Sequence, residues 1–502
     1  MSIQDGDAVA GGFELQTEVC VIGSGAAGGV AAARVAESGR EVVVLEEGPH
    51  IPASQMTQRE EQMYARLYRD GGNQTTDDGG ISVLQGRVLG GSTVVNMADI
   101  EPIPDEILAH WRTRFGLARW SVEAYRQADA ECRAAIGANR IPHTELNPNN
   151  AALLRGGQRI GVEGAPFEHN RVGCVGSGYC LIGCAYDAKR SVALTWIPRA
   201  LATGRVRVQT EARVARIEHH AGRVVAVHGH VVQPSNSAVR APFTVRAEHF
   251  ILAAGAIHSP LLLLRSEIGG SQVGRNLSLQ PQSPCVALFP EDIVLFRGIP
   301  QSAWIHREDR SESAGLGGFR LEGVSSTPGM SAAMSTLPTD QVHRFMSSFR
   351  RVAACLCLVP DRPVGRVLDA NGRPRIQYQM SADVKARMKQ ALHLASRAYL
   401  AAGAEAVMLP FPDASPVRTE ADLAQLDRLQ IRSASTPTIS AHPQGTCRMG
   451  PDPATSVVDL RGFVHGLHNL QVLDASVFPT TASTHTMLPV MSTAWLGAGE
   501  LS

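Results

Sequence analysis

Residues 18–48 read EVCVIGSGAAGGVAAARVAESGREVVVLEEG. An apolar run leads into Gly23, Gly25 and Gly28, an alanine-rich stretch follows, and a second apolar run ends at Glu46. The pattern is strand, tight turn, helix, strand: a βαβ unit of about 30 residues. Gly23 permits the turn, Gly25 lets backbone approach a pyrophosphate, and Gly28 lets the helix pack closely on the strand. The helix opens near Ala26, and its N-terminal dipole favours a phosphate there. Glu46 stands where an acid takes ribose hydroxyls. These residues predict a dinucleotide cradle and do not by themselves separate FAD from NAD.

The chain around this unit has 502 residues, 44% hydrophobic and 19% charged, enough for two interleaved domains with ordinary cores. Lys+Arg and Asp+Glu are equal at 47 each, which argues against nucleic acid or an acidic membrane surface as partner. No basic stretch followed by an apolar one marks a signal peptide at the start. The longest apolar run, residues 250–264, is interrupted by His258 and Pro260 and too short for a transmembrane segment. A cytoplasmic protein is expected. Nine cysteines, six of them scattered, fit a reducing compartment better than a disulfide framework.

Further along, residues 105–135 read as helical, with Trp111, Phe115 and Trp120 as buried anchors. Residues 202–256 are strand-rich, 287–377 hold alternating apolar segments that could form a sheet, and 382–402 read as an amphipathic helix. The expected class is α/β: a Rossmann-like domain of discontinuous segments (14–104, 190–280 and 441–502) beside a sheet-plus-helices domain (105–189 and 281–440).

The tail carries two histidines 43 residues apart, His442 in AHPQGTCRMG and His485 in DASVFPTTASTHTML. Alcohol oxidation needs a base for the hydroxyl proton while hydride leaves carbon, and imidazole titrates in the right range. A second hydrogen-bonding group can fix the oxygen. Cys447 reads as a packing residue and His258 as structural.

Together with the tail, residues 85–96 (QGRVLGGSTVVN) and 250–269 (FILAAGAIHSPLLLLRSEIG) resemble the glucose–methanol–choline (GMC) flavin oxidoreductases, in order and along nearly the whole chain. The second segment departs from the family by placing Glu267 where a glycine is usual. The resemblance implies FAD. It also implies noncovalent binding, because Val95 occupies the place of the family's flavin-linked histidine. On it, Gly90, Gly91, Ser92 and Asn96 lie against the flavin ring, with Arg87 in the same cofactor segment, and Val214 lies near the adenine. Asp474 and Ala475 meet the phosphate or ribityl chain, and Thr486 and Met487 bring backbone to the pyrimidine edge. His442 matches the leading general base and His485 its partner. Gln280 stands where relatives often have histidine.

Cys174, Cys180 and Cys184 fall in RVGCVGSGYCLIGCAYDAKRS with spacing C-x5-C-x3-C. Clustered thiolates on a glycine-rich loop suit a [3Fe-4S] cluster. The segment is similar to one in iron–sulfur-containing FAD-dependent sugar dehydrogenases, with Val175 in place of an additional cysteine. Zinc with His169 as fourth ligand and plain thiol packing stay open, as does the role of Lys189.

The implied activity is FAD-dependent oxidation of a primary or secondary alcohol, sugar-like or polyol included, to aldehyde or ketone. Oxygen, a quinone or a cytochrome would be the external electron acceptor; a cluster would favour a dehydrogenase over an oxidase. The alternatives are a lyase of the hydroxynitrile type on the same fold and the catalytic subunit of a cytochrome-coupled complex. No motif in residues 281–440 names the alcohol.

Overall fold

The computed structural model describes residues 2–501 apart from 7, 8, 10, 118, 119, 309, 310, 313, 314, 317, 336–338 and 434. The expected βαβ unit is β1 (Phe13–Ile22), α1 (Ala26–Glu37) and β2 (Val42–Leu45), with β1 and β2 parallel. Val19, Cys20 and Val21 are fully buried, as a parallel strand covered on both faces must be. In α1 the run Ala31–Ala33 presents little side-chain bulk, so helices Trp196–Ala202 and Met487–Ala498 pack against it.

Eight strands form the first sheet. Its path runs from Ile3–Gln4 through Val206–Gln209, β2, β1, Val239–Leu252 and Arg223–Val232 to Ala212–His220. The long strand Val239–Leu252 joins two halves. It is antiparallel to the hairpin at one end, while its last residues, Phe250–Leu252, run parallel to Leu470–Val472. That pairing carries the C-terminal segment back to β1.

The second eight-stranded sheet is mostly antiparallel. Its central strands are Gln282–Leu288, Val352–Leu358, Phe319–Gly323 and Ala303–Glu308. Helices Pro148–Arg159 and Ala382–Ala402 pack against it over a shared apolar core. Ser82–Val83 and Ile439–Ser440 pair at one edge and tie the two sheets' chain segments together. The α/β class expected from sequence is found. No helix among the described residues is long and apolar enough to cross a membrane.

Two local departures have clear causes. The helix expected over 105–135 is two, Asp105–Phe115 and Val122–Ile136. Gly116 turns left-handed (φ 74°) and ends the first, and Ser121 accepts the Ala124 N–H to start the second. Phe115 is only partly buried.

Helix Gly255–Arg265 ends with Ile268 N–H donating to Leu263 O and Glu267 N–H to Leu264 O, a Schellman closure. Glu267 holds the left-handed position at φ 58° and is exposed. An L side chain is strained there, so Glu267→Gly is expected to stabilise the fold by about 1 kcal/mol. A rise in thermal midpoint checks it; no change or a fall contradicts it.

Candidate active site

The glycine turn is built around Ser24. Its hydroxyl donates to Glu46 Oε2 (2.5 Å) and accepts from Gly90 N–H (2.9 Å). Its own N–H also reaches Glu46 Oε2 (3.0 Å), while Glu46 Oε1 accepts from Gly48 N–H (2.7 Å). Burial pushes the Glu46 carboxyl up, and the bonds from Ser24 and Gly48 pull against that. One acid thus ties the turn, the end of β2 and the residue 90 segment together. A Cβ on Gly28 would lie 1.8 Å from Gly23 O, and one on Gly91 would lie 2.8 Å from Gly25 Cα. Both glycines are required by close backbone approach.

This turn opens into a cleft of about 1300 Å³. Gly23, Gly25, Ala26, Glu46, Gly91, Ser92, Asn96, Val214, Asp474, Ala475, His442, His485, Thr486 and Met487 all line it. Gly28, Gly90 and Arg87 do not. Gly28 serves helix packing, and Gly90 (φ 93°) spends its N–H on Ser24. The Arg87 guanidinium turns instead to Ser237 Oγ (2.7 Å) and Pro234 O, which places its charge away from the cofactor surface expected for it. The Asp474 carboxylate accepts from Gly255 N–H (2.8 Å), Ser259 Oγ (2.5 Å) and Ser476 N–H (2.8 Å). It therefore offers a ligand mainly the backbone it holds. Asn96 Nδ2 donates to Met487 Sδ (3.0 Å).

The histidine rings meet in the cleft, 5.1 Å between centroids and nearly perpendicular (83°). Both are buried. His442 Nδ1 lies 3.2 Å from the Gln282 side-chain amide. His485 Nε2 lies 3.0 and 3.2 Å from the two Glu322 carboxylate oxygens. Arg320, itself fully buried, pairs with Glu322 (3.2 Å) and Glu101, and Thr484 Oγ1 donates to Glu101 (3.1 Å).

The two histidines are driven in opposite directions. Burial, then the His485 and Arg320 charges, hold His442 well below the usual imidazole range. Burial also opposes charge on His485, but Glu322, Asp99 and Glu101 outweigh it and raise its pKa to about 9. Near neutral pH the pair is one neutral ring facing one imidazolium.

Glu101, Arg320 and Glu322 are absent from the sequence-based site. Among the described residues, Glu101, Glu322 and His485 form the group whose metal-ligand atoms fall within 4.8 Å of one another. The Arg320 guanidinium already supplies a cation to both carboxylates. Arg320 and Glu322 alternate on strand Phe319–Gly323, which is buried throughout. Two charges on a buried strand were the available signal.

The cysteine loop touches the cleft through Leu181. Cys174, Cys180 and Cys184 are partly buried and none lines the cleft. Burial pushes the Cys180 thiol up to about 12, with Lys189 opposing. Lys189 donates to Cys180 O (2.6 Å) and Asn96 O (2.7 Å), bracing the loop against the flavin-side segment. His169 is not a fourth ligand: Nε2 contacts Asp99 Oδ1 (2.8 Å) and Gln301 O (2.6 Å). Gln280 is buried with no partner for its side-chain amide and its N–H on Asp361.

A βαβ glycine turn of dinucleotide-binding type thus opens into a cleft lined by two buried histidines. Residues 64–282 and 363–494 match the N- and C-terminal models described as GMC oxidoreductase, and 21–72 match an NAD(P)-binding Rossmann-like domain. An uncharacterized GMC-type oxidoreductase of Mycobacterium tuberculosis is 31% identical over 95% of this chain and 75% of its own. A long-chain-alcohol oxidase of Arabidopsis thaliana is 28% identical over 98% of this chain and 67% of its own. The crystal structure of pyridoxine 4-oxidase from Mesorbium loti superposes with a TM-score of 0.72 at 20% identity, covering 96% of this chain and 99% of that one. The chain belongs to the GMC oxidoreductase family.

Proposed function

We propose that this chain oxidises an alcohol with FAD, His442 accepting the hydroxyl proton and His485, as imidazolium, holding the alcohol oxygen. The observation that carries the proposal is the histidine pair itself: two buried rings lining the cleft, one kept neutral and the other kept charged. A neutral imidazole is competent to take a proton, and a cation stabilises oxygen as negative charge develops on it.

The cradle fits the cofactor. The start of α1 leaves its first N–H groups facing the cleft beside Gly25 and Gly91, where no Cβ intervenes. Buried amide atoms of Gln74 and Gln85, both lining the cleft, have no protein partner. Gly23, Gly25, Ala26, Gly91 and Ser92 would hold the phosphates and ring, Glu46 the ribose, Val214 the adenine, and Thr486 and Met487 the pyrimidine edge. When bound, FAD supplies the acceptor for the hydride leaving the alcohol carbon and returns both electrons to an external acceptor. Among this chain's own groups, Gln282 orients His442. The contact runs from its amide nitrogen to the ring Nδ1 at 3.2 Å.

The residue division into a cofactor domain and a substrate domain is kept as part of this proposal, each resting on one of the two sheets. No iron enters it. The relatives named above do not speak for a [3Fe-4S] cluster. The preference for a dehydrogenase rested on that cluster, so oxygen stands first among acceptors.

Flavin content tests the cradle. Protein purified with FAD is expected to retain about one flavin per chain. Gly28→Ala, whose Cβ cannot fit beside Gly23 O, is expected to lose most of it. A fully loaded Gly28→Ala protein would contradict the assignment.

A further inference from the structure

The cleft extends past the histidines over the second sheet, and its walls there are of one kind. Pro284, Val286, Val352, Ala354 and Leu356 face it from two neighbouring antiparallel strands. The register pairs Gln282 with Leu358, Pro284 with Leu356, Val286 with Ala354 and Leu288 with Val352. Gln282 contacts His442, so this row begins at the acid–base pair. From there to the row of Val352 is six residues of strand, about 20 Å. Met330, Met334 and Phe345 also line the cleft.

Within residues 282–356, no described Asp, Glu, Lys or Arg lines the cleft. Among the serines in that wall, Ser325 donates to Pro300 O (3.2 Å) and Ser331 donates to Ser326 Oγ (2.8 Å). A hydroxylated or heteroaromatic substrate extending over this floor would bury polar groups without partners. A hydrocarbon chain would lose nothing there, and two methionines can adapt to it.

We propose that the substrate is a primary alcohol on a long unbranched apolar chain, laid along this floor, and that Ala354 and Val286 set the accepted length. The proposal rests on the alcohol-oxidation reading above. Ala354 is the small residue midway along the row. Its main chain is pinned by Asn149, which accepts from its N–H (2.8 Å) and donates to its O (3.1 Å). A larger side chain at that position cannot retreat with the backbone and must fill the floor.

The test uses the FAD-loaded protein with butanol, octanol, dodecanol and hexadecanol, and with pyridoxine as polar comparator. Each added methylene is expected to raise kcat/KM by about threefold to fourfold until the chain outgrows the floor. Ala354→Phe is expected to cut the dodecanol-to-butanol ratio by about tenfold or more, and Val286→Phe, a second and independent plug, to do the same. A flat chain-length profile, a preference for pyridoxine over dodecanol, or unchanged ratios in both flavin-loaded variants would overturn the proposal. If no alcohol of the set reduces the flavin, the failure lies in the alcohol-oxidation reading, and the ruler falls with it.

Discussion

His442→Ala is expected to slow flavin reduction by alcohol about a hundredfold or more while leaving flavin bound. The ring sits where the cleft passes from cradle to apolar floor, and its pKa is held down by burial and by the neighbouring His485 and Arg320 charges. Alanine removes the proton acceptor and leaves the cradle residues in place. His485 cannot substitute, because its Nε2 is engaged by Glu322 and it is already protonated near neutral pH. Stopped-flow reduction of the variant under anaerobic conditions checks this. A rate within a fewfold of the parent would remove His442 from the role of base.

Glu322→Gln is expected to be the second large loss, in stability as well as rate. Glu322 is the carboxylate shared by His485 and Arg320, with neither Glu322 nor Arg320 exposed. Replacing its charge leaves two cations with Glu101 and the more distant influence of Asp99, and breaking a buried pair costs about 3 kcal/mol or more. The pH dependence carries the sign. His485 is raised from 6.5 to about 9 on folding, so its contribution is complete below about pH 6.5 and disappears as pH rises through 9. Without Glu322 that window should collapse, and His485 should lose its proton at lower pH. Thermal midpoints measured from pH 6 to about pH 10 should fall toward alkaline pH in the parent and stay nearly level in the variant. Activity near pH 8 should fall tenfold or more in the variant. Parallel curves would mean that Glu322 does not control the protonation of His485.

Much of this was legible in the chain before any coordinate. Local rules write the βαβ unit: glycines fixed by backbone approach, short continuous apolar runs, and an alanine-rich stretch of helical length between them. The tail histidines stood out because their flanking motifs are specific. What stayed hidden depends on contacts between distant segments. Glu101 and Arg320 lie 219 residues apart and meet only when strand Phe319–Gly323 comes beside the residue 96–101 segment. Arg87 looked like a cofactor contact by proximity to Gly90, yet one side-chain turn sends it to Ser237. Glu267 is the instructive intermediate case: its departure from glycine was visible in the sequence, but only φ 58° shows that the left-handed turn persists under a residue that strains it. The cysteines are a different case: their spacing suggests ligation, while the loop meets the cleft through Leu181 and none of the three cysteines lines it.

The most direct measurement is anaerobic mixing of the FAD-loaded protein with dodecanol, following flavin absorbance and aldehyde together. Loss of the oxidised flavin spectrum with about one aldehyde formed per flavin is the predicted result. A flavin spectrum that stays oxidised, with or without consumption of the alcohol, would contradict the proposed chemistry of His442 and His485.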